Sequence, residues 1–162
     1  MQPTIDHIVA THQQGLHRLC LGYVYDPEEA RDLVQEVLIK VWTHLPDFRG
    51  EANLKTWVYR IAVNTCLMYL CKKRLPTVPL VPERDATRPE ESTNEDRLTD
   101  LRAAISQLPA RDRILLLLHL DDNGYERIAD VMGLSVSNVG ARLTRIRKKL
   151  SQRIKSSPSW TN

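Results

Sequence analysis

Apolar residues recur along most of the chain at spacings of three and four, the signature of amphipathic helices, and nowhere alternate in the way that marks a strand. Ile5, Ile8, Val9, His12, Leu16, Leu19, Cys20 and Tyr23 describe one such helix. A second has a well-marked start, with Asp26 as N-cap, Pro27 as first helical residue and Glu29 as the reciprocal carboxylate of a capping box. Ala30, Leu33, Val34, Val37, Leu38, Val41 and Leu45 continue it as an apolar stripe, and Pro46 ends it. Its opposite face holds Asp32, Gln35, Glu36, Ile39 and Lys40, so an isoleucine stands among acids where water is expected. A third long helix runs from Leu54 to about Arg74. Leu54, Trp57, Val58, Ile61, Thr65 and Met68 are expected to face inward, and Tyr59, Arg60, Val63, Asn64 and Leu67 fall on the other side.

From Pro76 to Asp96 the pattern stops. Pro76, Pro79, Pro82 and Pro89 exclude regular helix, and carboxylates outnumber Arg84 and Arg88, which predicts an extended acidic linker. Helical spacing resumes at Leu98, Leu101, Ala104, Ile105 and Leu108, stops before Pro109, and returns over Arg111 to Leu120. The segment Ile128 to Val139 has the lettering of a helix-turn-helix. Gly133 supplies a left-handed residue that ends one helix, Ser135 caps the next, and Ile128, Met132, Leu134, Val139 and Leu143 pack the two together. The predicted architecture is all-α: two small helical domains over 1–75 and 98–155, joined by a linker over 76–97, with a short tail over 156–162.

Charge sharpens this picture. A chain of 162 residues with 42% apolar composition suffices for two small helical cores, and its net charge of +3 hides strong segregation. Val131 to Asn162 contains no acidic residue but carries Arg142, Arg145, Arg147, Lys148, Lys149, Arg153 and Lys155; Leu54 to Leu75 is also acid-free. A solvated helix face ordinarily mixes signs at i,i+4, so these stretches point to a polyanionic partner. Asp26 to Glu36, with five carboxylates against one Arg, suits a different partner. Cys20, Cys66 and Cys71 read as core thiols in a reducing cytoplasm, and no His lies at ligand spacing, so neither a metal nor a cofactor is expected. No segment resembles a signal peptide or reaches membrane-spanning length, which predicts no membrane insertion.

In order and separation these pieces resemble a bacterial sigma factor of the extracytoplasmic-function (ECF) group in the sigma-70 family, which keeps only sigma regions 2 and 4. Asp26 to Val37 resembles the stretch that docks on the clamp helices of core RNA polymerase. Phe48-Arg49-Gly50 with Thr56 to Asn64 resembles the part that opens and reads the minus-10 element. Leu108 to Arg113, Tyr125 to Ala129 and Arg142 to Leu150 resemble the minus-35 reader. The chain departs from the family pattern at Met68, where an acid is common, and at Arg127, where a second Glu is common.

The resemblance implies Asp32, Gln35, Glu36 and Ile39 as the polymerase surface, with region 4 at the flap. It implies Phe48, Arg49, Gly50, Asn53, Lys55, Arg60 and Asn64 as the minus-10 site, where Gly50 admits the backbone close to a base and the amides read its edge. Ser137, Asn138, Arg142, Arg145, Lys148 and Lys149 become the minus-35 site. Sequence does not decide which of Arg142 and Arg145 reads a base and which holds a phosphate. Core RNA polymerase and promoter DNA are the expected partners, with an anti-sigma factor as regulator. The linker is either a tether or a mimic of RNA along the polymerase's exit path.

Other functions fit less. There is no phosphate-cradling Gly-rich loop and no nucleophile, base and acid in array, which argues against an enzyme. A sigma-like decoy would not need Phe48, Asn64 and an acid-free tail. An ordinary helix-turn-helix regulator leaves Asp26 to Asn64 unexplained.

Overall fold

The computed structural model describes residues 3–73 and 94–157. Its elements are α1 (Ile5–Val24), α2 (Pro27–His44), a 3-10 turn (Leu45–Asp47), α3 (Leu54–Lys73), α4 (Asn94–Ser106), α5 (Ala110–Leu120), α6 (Tyr125–Met132) and α7 (Val136–Lys155). The predicted starts are built as local chemistry dictates. Asp26 accepts from the backbone N–H of Glu29 at 2.9 Å, with Pro27 in the first turn of α2. Pro46 does not end α2 in a plain loop but tightens Leu45–Asp47 into the 3-10 turn. Gly133, at φ +67°, closes α6, and Ser135 Oγ accepts from Asn138 N at 3.2 Å to open α7.

The linker expected over 76–97 is shorter at its far end, because α4 begins at Asn94 with Glu95 and Asp96 in its first turn, where the helix dipole favours carboxylates. The Pro-containing part, with Arg74 and the tail beyond Ser157, lies outside the described residues. Helices α1, α2 and α3 pack into a first half, and α4 to α7 into a second. The two are not separate cores. One cluster of buried apolar side chains runs through both, from Ile8, Leu16, Val37 and Val58 to Leu115, Ile128, Leu143 and Ile146.

That continuity rearranges the expected faces of α3. Tyr59 and Val63, expected outward, are buried; Tyr59 packs against His12 and Gly15 of α1 and reaches Asp121 just beyond α5. Met68, expected inward, is exposed. Cys71 is likewise exposed and not a core thiol, whereas Cys20 and Cys66 are fully buried. A hydrogen bond with Cys20, and burial, push the Cys66 thiol well above its ordinary value.

Candidate nucleic-acid interface

On α2, Asp32, Gln35 and Ile39 are exposed on one face, and Glu36 between them is half-buried and paired with Lys40 at 2.9 Å. Trp42, one turn beyond Ile39, is also exposed, giving this acidic face an aromatic end. Sequence reasoning missed it; its place three residues after an outward Ile was the available signal.

The loop before α3 divides its residues between structure and surface. Phe48 is half-buried with its ring 5.0 Å from that of Trp57, so the pair anchors the loop on α3. Gly50, at φ +74°, has open space where a side chain would stand. Asn53 accepts from Lys55 N at 2.9 Å and so starts α3, which occupies one of the amide groups proposed to read a base. Arg49 and Asn64 are exposed, and the Lys55 ammonium sits 5.6 Å from the centre of the Tyr59 ring. Arg60 is exposed but committed: its Nε donates to the Asp130 carbonyl at 2.7 Å, at the C-terminus of α6. Tyr59, whose hydroxyl lies 3.4 Å from Asp121 Oδ2, has its pKa pushed up to about 12, by burial first and by the Asp121 carboxylate second.

Helix α7 presents Ser137, Thr144, Arg145 and Lys148 outward, with Lys149 exposed beside them. Asn138 is half-buried at the first turn. Val136, exposed at the helix start, was not singled out from sequence; an apolar group there suits a thymine methyl in the major groove. The structure separates the two arginines that sequence left open. Arg142 points back to α5, where Nη1 meets Asp112 Oδ1 at 3.0 Å, while Arg145 faces out. Arg142, Arg145 and Lys149 line a groove of about 590 Å³ whose other wall is Leu67, Leu70 and Cys71 of α3. Among the described residues no group of His, Cys, Asp and Glu is placed to hold a metal ion, and no helix is long and apolar enough to cross a membrane.

Comparison with known proteins bears on the whole arrangement. Residues 8–75 match the Sigma-70 region 2 family and residues 98–150 the Sigma-70 region 4 family. The RNA polymerase sigma-H factor of Pseudomonas aeruginosa is 32% identical, covering 91% of this chain and 84% of its own. The ECF RNA polymerase sigma-E factor of Escherichia coli is also 32% identical, over 94% of this chain and 87% of its own. Among solved structures, the sigma factor RpoE of Bartonella quintana, in complex with the anti-sigma factor NepR, has the same fold. Its TM-score is 0.70 at 24% identity, covering 94% of this chain and 97% of that one. CnrH, in complex with the cytosolic domain of CnrY, superposes with a TM-score of 0.71 at 22% identity, over 94% and 88% of the two chains. With both regions matched in order, the chain belongs to the extracytoplasmic-function group of the sigma-70 family: it is a sigma factor, which binds core RNA polymerase and promoter DNA to direct transcription initiation.

Proposed function

We propose that the two halves divide promoter recognition at the residues described above. Residues 1–75 carry the polymerase face of Asp32, Gln35, Glu36 and Ile39, extended by Trp42, and the minus-10 surface of Arg49, Gly50, Lys55, Arg60 and Asn64. Residues 98–155 carry the minus-35 surface. Ser137 and Asn138 enter the major groove at the start of α7, Arg145 is the cation available to a base edge, and Lys148 and Lys149 hold phosphates. Arg142, held by Asp112, sets the pose of α7 on α5. The chain acts in the cytoplasm, catalyses no reaction of its own and is held in check by an anti-sigma factor, the class of partner bound to RpoE of Bartonella quintana in its complex with NepR.

The observation that carries this reading is the separation of surfaces. An acidic and apolar face on α2 stands apart from two acid-free helices, α3 and α7, whose only exposed charged groups are cations among the described residues. Run-off transcription with purified core polymerase on a pool of promoter fragments tests it. Protein-dependent transcripts that share minus-35 and minus-10 elements are expected. Core binding without transcripts would favour a decoy, and absence of core binding would overturn the assignment of α2.

A further inference from the structure

Helix α7 offers two methyl groups on its outer face. Ala141 and Thr144 are both exposed, and their separation of three residues puts them about 60° apart around the helix. Thr144 Oγ1 donates to the Gly140 carbonyl at 3.0 Å, so the hydroxyl is spent on the helix's own backbone and the group turned outward is the methyl. Ala141 has only a methyl to offer. Cations border this pair on both sides. Arg145 follows Ala141 by four residues, about 40° further round, and Arg147 follows Thr144 by three, about 60° the other way; both are exposed. Arg147 is steadied by His119 of α5. A guanidinium only donates, so Arg147 Nη2, 3.1 Å from His119 Nε2, gives its hydrogen to the imidazole.

We propose that Ala141 and Thr144 set the base preference of α7, their methyl groups selecting thymine through its C5-methyl. The proposal rests on the assignment of α7 to the minus-35 element. In the major groove thymine is the base whose edge carries a methyl, and the methyls of alanine and threonine are its small apolar partners. Short side chains at these two positions let the helix come close to the base edges. The longer Arg145 and Arg147 reach past them on either side, Arg145 to a guanine edge and Arg147 to phosphates along the other wall of the groove. An outward hydroxyl at Thr144 would accept or donate to any base; turned inward, it leaves a surface that discriminates by apolar contact. Burying one methyl against another is worth about three- to fivefold in affinity. The element this face fits has A·T pairs, with thymine on the side of Ala141 and Thr144, beside a G·C pair read by Arg145.

Holoenzyme assembled from the full chain and core polymerase tests this. Selection from promoter duplexes randomised over the minus-35 element should return at least one fixed A·T pair beside a fixed G·C pair. Deoxyuridine in place of the selected thymine deletes only the C5-methyl, and should weaken holoenzyme binding about three- to fivefold per base. Thr144→Ser keeps the hydroxyl and loses the methyl, so it should no longer distinguish thymine from deoxyuridine at its base. Thr144→Val keeps a methyl and loses the hydroxyl, and should still distinguish them. Ala141→Gly should abolish the distinction at the neighbouring base. Each readout is a ratio of two DNAs on one protein, so any loss of folded protein cancels from it. A selected element without a fixed A·T pair, equal binding of thymine and deoxyuridine by the native holoenzyme, or a ratio that survives both Thr144→Ser and Ala141→Gly would overturn the proposal. A holoenzyme indifferent to the whole minus-35 sequence would instead overturn the assignment of α7 on which it rests.

Discussion

Arg113 closes two helix ends with one side chain. Its Nη2 donates to the Ser106 carbonyl at 2.7 Å and reaches the Leu108 carbonyl at 3.4 Å, while Nη1 reaches Tyr23 at 3.3 Å; its guanidinium stacks 5.4 Å from the Tyr23 ring centre. Ser106 ends α4 and Tyr23 lies in the last turn of α1, so the cation meets the negative ends of two helices. Arg113→Met keeps much of the buried stem and removes the donors. The short bond from a charged donor contributes about 1.5–3 kcal/mol, and the two long ones add little. Carbonyls left without a donor add to the loss, while the guanidinium's own desolvation, with Nε already lacking a hydrogen-bond partner, offsets part of it. The net expectation is a destabilisation of about 3 kcal/mol. For a chain of this size that corresponds to a fall in Tm of roughly 6–12 °C. Urea denaturation followed by circular dichroism measures it. Arg113→Lys, a point charge able to reach one carbonyl but not the fork of three, should recover part of the loss. A loss under about 1 kcal/mol for Arg113→Met would refute the argument that this guanidinium holds the two ends together.

Two further outcomes follow from the geometry. Asn64 is exposed, so Asn64→Ala should leave stability within about 0.5 kcal/mol. Loss of an amide that reads a base should reduce promoter opening, measured by permanganate reactivity, by roughly 5- to 100-fold, a cost of ~1–3 kcal/mol; an equal fall in binding to duplex minus-35 DNA would contradict that role. His12 is held below its ordinary value of 6.5, by burial first and then by the charges of Lys55 and His7. It therefore stays neutral in the fold while the unfolded chain takes up a proton, so stability is complete above pH 6.5 and declines as pH falls below it. Melting temperature should drop between about pH 6.5 and pH 5.5, and His12→Gln should flatten that slope; equal slopes would show that other groups set it.

What was legible in the sequence was what neighbours along the chain decide. Asp26, Pro27, Gly133 and Ser135 mark helix ends through contacts spanning three or four residues, and the buried stripes of α1 and α2 follow from spacing alone. The outward position of Ile39 among acids was read the same way. The faces of α3 were not, since Tyr59 is covered by His12 and Gly15 of α1 and meets Asp121, 62 residues later in the chain, and no local pattern records such cover. Gly15 and Gly22 did carry a signal, two helix-disfavoured residues at a spacing of seven, but it gains meaning only once Leu117 and Asp121 are seen opposite them.

The same distinction governs the candidate site. Sequence counts cations, whereas structure shows which are committed. Arg60 is tied to α6, Arg113 to α1 and α4, and Arg142 to Asp112, all contacts that a protein makes with itself. Arg145, Lys148 and Lys149 remain on the outside of α7. An acid-free stretch therefore overstates the charge available to DNA. The difference is unequal between the two proposed surfaces: α7 keeps its outward cations, while α3 has Arg60 bound to the Asp130 carbonyl of α6.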